Sequence, residues 1–260
     1  MQLKSSNQIH TKGFYFFLSA QFLSALADNA LLFAAIALLT KLNAPTWHQP
    51  LLLQFFVFAY IILAPFVGAF ADAKPKKQVM FFSNGIKLIG CLAMLFGMPP
   101  LYAYSIVGIG AAAYSPAKYG ILTEILPENS LVAANGWVEG STVAAIILGA
   151  IFGGVIAVYD VDLAIITISI LYLIAAIFNK YMPDVPINHK LKKNDPWSLI
   201  KDFFSSYKKL WADPLGQLSL TITTLFWGAG ATLRLVIIGW AAYVLGYGLD
   251  KSTTLSATVA

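Results

Sequence analysis

Charge is what this chain has least of. Of its 260 residues, 11% are Asp, Glu, Lys or Arg, against 58% hydrophobic, where soluble domains carry about 25% charge. That deficit excludes an ordinary soluble domain. Cysteine is nearly absent: Cys91 stands alone, so neither a disulfide framework nor a CxxC pair exists. The 3 histidines, His10, His48 and His189, all fall outside the apolar runs. None is followed at the fifth position by Asp, so the His-x-x-x-x-Asp pattern of acyltransfer chemistry is missing. The clustered His, Cys and carboxylates of a metal site are missing as well. The sequence therefore predicts no enzyme and no cofactor. Arginine is scarce too, with Arg234 its single occurrence.

What the chain has in quantity is long apolar runs, with a mean hydropathy of +0.73. About 20 apolar residues cross a hydrocarbon core of about 30 Å. Backbone polar groups must be satisfied internally in lipid, which leaves helices or closed barrels. These runs are too long and too uniformly apolar for barrel strands, which alternate. The predicted fold class is all-α, a polytopic helical membrane bundle. The opening "MQLKSSNQIHTKG" is polar and basic, and the run after it is too long for a signal-peptide core, so it reads as a retained first span.

The spans fall at 14–40, 50–71, 78–98, 101–123, 130–158, 161–182 and 216–245, and an eighth begins before "STTLSATVA". Turn signals separate them, among them "NAPTWHQP", "AKPKK" and "LPENS". This divides the chain into a six-helix half (1–182), a basic connector (183–215) and the start of a second half (216–260). With the N-terminus inside, Lys4, Lys12, Lys74, Lys76, Lys77, Lys180, Lys190, Lys192, Lys193, Lys201, Lys208 and Lys209 are cytoplasmic, while only Lys41 and Lys251 are outside. That asymmetry sets the orientation by the positive-inside rule. It also accounts for the net charge of +5 as loop anchors, so no nucleic-acid partner is expected. Within the connector, "DPWSLIKDFFSSYKKLW" reads as an amphipathic helix in the membrane interface, with Asp195 as its cap and Pro196 at its first position.

Away from the span ends, five charges remain inside the spans: Asp28, Lys87, Lys118, Glu139 and Arg234. Asp28-Asn29 interrupts "FLSALADNALLFAA" near mid-membrane. A central Asp costs about 2.5–3.5 kcal/mol on insertion scales, so it should face protein or a wet cavity. Lys118 and Glu139 lie at similar depth on spans 4 and 5 and form a natural pair, either structural or substrate-binding. Asp28 and Arg234 form a deeper pair, one from each half. Lys87 with its neighbour Asn84 reads as structural. Gln21, Gln54 and Asn84 extend a polar path, Phe22, Phe33 and Phe55 are candidates to line it, and Pro116 predicts a kink that aims Lys118, as a hinge or a fixed bend.

Six spans, a basic connector and a seventh span resemble the major facilitator superfamily. The 2–3 loop "GAFADAKPKK" supplies Gly68, Asp72, Lys76 and Lys77 at the spacing of that superfamily's loop motif. It departs at Ala73, where a basic residue is usual, and at Pro75, where glycine is usual. Gly140, Gly149, Gly153 and Gly154 in span 5 resemble its antiporter-type glycine motif, with Ala150 in place of proline; close helix packing is the simpler reading. "AQFLSALADNALLFAA", "AYIILAPFVGAFAD", "GAAAYSPAKYGILTE", "ANGWVEGSTVAAIILG" and "LFWGAGATLR" resemble the bacterial lysophospholipid transporter branch.

That resemblance implies flipping of lysophosphatidylethanolamine and related lipids from the outer to the inner leaflet of a Gram-negative inner membrane. It implies delivery to a cytoplasmic acyltransferase coupled to acyl-carrier-protein synthetase activity. It also implies twelve spans, so a chain ending near the eighth reads as truncated, with a half-transporter as one alternative. A zwitterionic head asks for a cation and an anion. Arg234 suits the phosphate in a forked geometry, while Asp28, with Asn29, suits the ammonium. The acyl tail should stay in lipid or an apolar groove, since about 15 buried CH2 groups would cost around 12 kcal/mol to wet. A proton-coupled exporter of lipophilic solutes, with Asp28 as the protonation site, is the other transport reading.

Overall fold

The structure, a computed structural model, describes residues 11–183 and 196–259. The expected cap at Asp195 and the connector lysines Lys190, Lys192 and Lys193 lie outside the described residues, as does Lys4. The described residues form nine α-helices and one 3-10 turn, with no strand among them. They are α1 (Lys12–Lys41), α2 (His48–Asp72), α3 (Lys76–Leu95), α4 (Pro100–Ile125), α5 (Leu131–Tyr159), α6 (Val161–Lys180), α7 (Pro196–Ala212), α8 (Pro214–Val244) and α9 (Leu249–Val259).

Local chemistry explains the ends. The Thr11 side chain accepts from the Phe14 amide at 3.3 Å to open α1. Asp160 accepts from Asp162 and Leu163 to open α6, and Asp213 accepts from Gly216 ahead of Pro214, the first residue of α8. Span 3 was expected to run to residue 98, but α3 ends at Leu95 because Gly97 turns the chain with φ +93. The helix of α4 continues through Pro116, and that of α2 through Pro65.

Six of these helices are long and apolar enough to cross a bilayer by length and composition. α4, the remaining expected span, has 26 residues, so its length suffices, but Gly108, Gly110, Ser115, Pro116 and Lys118 dilute its apolar content. Those small residues serve packing instead. A Cβ on Gly108 would meet the Phe56 carbonyl oxygen of α2, and one on Gly110 would meet the Ser83 carbonyl oxygen of α3.

α1 is the centre of the bundle. It is buried on every side between Ala30 and Ile36, because α5 and α6 lie against it along most of its length. Gly149 and Gly153 of α5 bring that helix onto α1: a Cβ at Gly149 would sit 2.7 Å from the Leu26 carbonyl oxygen and one at Gly153 would sit 2.6 Å from the Ala30 Cα. Gly140 meets nothing within 4 Å, so the four motif glycines divide into packing positions and an open one. Gly154 faces Thr253 of α9, which docks the start of the second half against α5.

Ion pairs mark the two ends of the bundle. At one end Lys41 meets Asp162 at 2.8 Å, fastening α1 to α6. At the other, buried Lys76 meets Glu124 at 2.5 Å and Asp72 at 3.4 Å, fastening α3 to α4 and α2. The loop motif is thus built around Lys76 and Glu124, a partner that sequence reading did not single out. Asp72 keeps 61% of its side chain exposed, and Gly68 has open space around it. α7 carries no buried residue, and Trp197, Phe204, Tyr207 and Trp211 are exposed on it.

Candidate functional site

Several polar residues of the spans converge on one cavity of about 810 Å³ lined by α1 to α5, by α8 and by Ser256 of α9. Asp28, Asn29, Lys87, Lys118 and Arg234 all lie on its wall, as do Tyr60, Tyr104 and Tyr114. Glu139 is not part of the wall; it stands behind Tyr119, whose hydroxyl donates to it at 2.9 Å.

Asp28 does not pair with Arg234. Its Oδ2 accepts from Lys87 Nζ at 2.7 Å and its Oδ1 from the Tyr172 hydroxyl at 2.8 Å. Lys87 also donates to Ser24 Oγ at 3.0 Å, and its ammonium lies 4.8 Å from the centre of the Tyr114 ring and 5.8 Å from that of Tyr172. The reason is register. Both α1 and α3 start at the same end of the bundle. Asp28 is about 24 Å along α1 and Lys87 about 17 Å along α3, and the lysine stem covers the difference. Asn84 is not Lys87's direct partner; it accepts from Ser24 at 2.7 Å and so holds the hydroxyl that receives Lys87.

Arg234 takes the neighbouring position. Its Nη1 donates to Asn29 Oδ1 at 2.9 Å, and the guanidinium lies 5.0 Å from the centre of the Phe33 ring. Asn29 is fixed for this because its Nδ2 donates back to the Ala25 carbonyl at 2.9 Å. The other guanidinium nitrogen, Nη2, has no hydrogen-bond partner. A buried donor left unmade costs about 1–3 kcal/mol, more when it is charged, so an acceptor arriving there is favoured.

The expected Lys118–Glu139 pair is likewise mediated rather than direct. Lys118 Nζ lies over the Tyr119 ring at 4.3 Å from its centre, and Tyr119 holds Glu139. Gln21 lies on the cavity wall and ties α1 to α5 through Val138, Ser141 and Thr142 at 3.2, 3.1 and 2.7 Å. Gln54 points away and is exposed. Of the three candidate lining aromatics, Phe33 acts through Arg234, Phe55 packs against Tyr102, and Phe22 lines a second, apolar groove of about 890 Å³ beside α1 and α5. Phe56, Phe226 and Trp227 line the polar cavity instead.

Sequence reading missed Tyr172 and Ser24, and gave Lys87 no part in the site. Comparing depths on spans entering from the same side admits Lys87 opposite Asp28 but does not choose it over Arg234. Nothing in the sequence marks Tyr172 among the many aromatics.

Comparison with known proteins gives the arrangement a context. The lysophospholipid transporter LplT of Serratia proteamaculans is 47% identical over 236 residues, covering 91% of this chain and 59% of that protein. The protein of the same name from Yersinia enterocolitica is 44% identical over 254 residues, covering 98% of this chain and 63% of its own length. The one from Klebsiella pneumoniae strain 342 is 45% identical over 256 residues, with 97% and 64% covered. The chain therefore spans less than two thirds of these relatives. Among solved structures, a bacterial homologue of the human lysosomal transporter Spinster shares the fold with a TM-score of 0.67 at 14% identity, covering 94% of this chain and 59% of that one. A D-xylose–proton symporter follows at 0.54 and 14%. Residues 17–260 match the sequence pattern of the Major Facilitator Superfamily, which accounts for both the six-helix bundle and the helices that follow the connector. With that match over nearly its whole length, the chain belongs to the Major Facilitator Superfamily.

Proposed function

We propose that this chain is part of a transporter that moves lysophospholipids, lysophosphatidylethanolamine among them, across the bacterial inner membrane from the outer to the inner leaflet. The head group travels through the polar cavity while the tail stays in apolar surroundings, because wetting the tail costs far more than any single contact in the site returns. The observation that carries this reading is Arg234. Its guanidinium is held on one side by Asn29, and its Nη2 lacks an acceptor beside a cavity large enough for a head group. A forked guanidinium is suited to phosphate oxygens as a lysine is not.

In this reading Lys118 adds a second cation on the cavity wall. Asn29 orients Arg234, Asp28 contributes its exposed edge, and Glu139 sets Tyr119 beside Lys118. Lys76, with Asp72, Lys77 and Gly68, forms the loop that holds α2, α3 and α4 as the bundle moves. The N-terminus is cytoplasmic by the lysine distribution, and the product passes to a cytoplasmic acyltransferase. The protein carries substrate and performs no chemistry on it. The names of the relatives support the substrate class.

The test is uptake of labelled lysophosphatidylethanolamine by the full-length protein in proteoliposomes, beside a lipophilic cation. Saturable uptake of the lysolipid alone is expected. Uptake of the cation alone, driven by a proton gradient, would move the protein to the solute exporters.

A further inference from the structure

We infer that α7 is a docking surface for anionic phospholipid: it lies on the leaflet at the end of the bundle that holds the loop motif, with its aromatic face in the lipid and Lys201 and Lys208 on the phosphates of acidic head groups. This surface is separate from the polar cavity and does not depend on what the cavity carries.

Three observations lead to it. First, α7 divides by face. At 3.6 residues per turn, every Trp, Phe, Tyr, Leu and Ile of Pro196–Ala212 falls on one half of the helix and every Ser, Lys and Asp on the other. The apolar half is uncovered, since the helix has no buried residue and is exposed at each position from Lys201 onward. Second, the border between the halves is a ridge in which aromatic rings and lysines alternate. Trp197, Lys201, Phe204, Lys208 and Trp211 follow at spacings of four, three, four and three residues, so each is a surface neighbour of the next. Such rings settle at head-group level, and a lysine beside them lays its stem on apolar surface and its ammonium among the head groups. No ion pair among the described residues takes up Lys201 or Lys208, and the helix's one acid, Asp202, lies away from the ridge. The charge that complements this ridge is an anionic one, which acidic lipids supply and a zwitterionic surface does not.

Third, the helix is fixed at the membrane boundary. It touches α2 and α8, both long and apolar enough to cross a bilayer. Only Asp213 separates Ala212 from the first residue of α8. The corner is tight: Gln217 Nε2 donates to the Trp211 carbonyl at 2.7 Å, and a Cβ on Gly216 would strike the Leu210 carbonyl oxygen. α7 thus starts from the point where α8 enters the lipid, and lipid that seats α7 also fixes the start of the span that carries Arg234.

The experiment reads the cover of α7 directly. The full-length protein is reconstituted in vesicles of phosphatidylcholine alone and of phosphatidylcholine with phosphatidylglycerol, and chymotrypsin cleavage after the aromatic residues of α7 is followed in the molecules that present it outward. Cleavage tracks the fraction of time the helix is unseated, and each lysine at an anionic surface is worth about fivefold in that fraction. Cleavage of wild type should therefore be at least about tenfold slower with phosphatidylglycerol present. The difference should collapse in molar salt, where screening acts within about 3 Å. Lys201→Gln/Lys208→Gln should be cut at nearly the same rate in both vesicles, while Lys201→Arg/Lys208→Arg should keep the wild-type difference. Equal cleavage of wild type in the two vesicles overturns the inference: slow in both means that uncharged lipid, a second copy or the rest of the protein covers the face, and fast in both means that nothing does. A double Gln variant that keeps the full lipid dependence also overturns it. Both substituted lysines are exposed, so the variants should melt as wild type does, and the wild-type comparison decides the matter even if one of them fails to fold.

Discussion

Lys87 and Asp28 meet at 2.7 Å across α3 and α1, with 1% of the lysine side chain and 22% of the aspartate exposed. Two charges in the apolar centre of a helical bundle are expensive singly and tolerable as a pair, because each supplies the field the other lost with its water. The pair therefore ties α1, α3 and, through Tyr172, α6 into one unit around the cavity.

Breaking that pair from one side should be costly. Lys87→Met leaves Asp28 uncompensated and should destabilise the protein by about 3–5 kcal/mol. The Asp28→Asn/Lys87→Met double variant should recover most of the loss. Thermal melting of the purified protein in detergent measures both, and equal losses in the single and double variants would show the pair to be energetically idle.

The glycines of α5 should separate by position. Gly153→Ala places a methyl 2.6 Å from the Ala30 Cα, so α1 and α5 must part, at about 1–3 kcal/mol. Gly140→Ala meets open space and should be neutral or stabilising by up to about 1 kcal/mol, the helix propensity gained. The same melting measurement compares them, and a destabilised Gly140→Ala would contradict the open surroundings of that residue.

These two positions also show how far sequence reading reached. Gly149 and Gly153 stand one turn apart on an apolar helix, and that spacing alone marks a close helix contact. The spans were legible for the same reason: apolar length and turn chemistry are local properties. Asp28, Asn29, Lys118 and Arg234 were legible as cavity residues because a charge or amide in an apolar span must turn inward. The pairing was not legible. Which cation meets Asp28 depends on how α3 and α8 are placed around α1, and two candidate cations at mid-depth satisfy the sequence equally well. Tyr119, between Lys118 and Glu139, is one of many aromatics and carried no mark of its role. Glu124 lies in "GILTEILPENS", where its position near a helix end concealed that Lys76 reaches it.

At the end of the bundle that holds the loop motif, Glu124→Gln should destabilise by about 3 kcal/mol, because Lys76 is buried and loses its nearest carboxylate. Asp72→Asn should cost less than about 1 kcal/mol, since that carboxylate is mostly exposed and more distant at 3.4 Å. Melting temperatures of the two variants, measured together, test the order. The reverse order would place the fastening of α3 at Asp72.

The opposite end supplies a pH dependence. Asp160 lies between α5 and α6, and the amides of Leu163 and Asp162 hold its carboxyl below the ordinary aspartate value. Its capping contribution is present at pH values above the unfolded pKa and fades as pH falls through the lower, folded one. Lowering the pH through the acidic range should therefore narrow the difference in melting temperature between wild type and Asp160→Ala. A difference that stays constant across that range would contradict an ionised cap.

The measurement that bears most directly on the account is uptake of labelled lysophosphatidylethanolamine by the full-length protein with Arg234 intact, replaced by Lys and replaced by Gln. The account predicts that Arg234→Gln loses uptake by about ten- to a hundredfold, the worth of a charged hydrogen bond to phosphate, while remaining folded, and that Arg234→Lys recovers only part because a point charge lacks the fork. Undiminished uptake by a folded Arg234→Gln protein would contradict it.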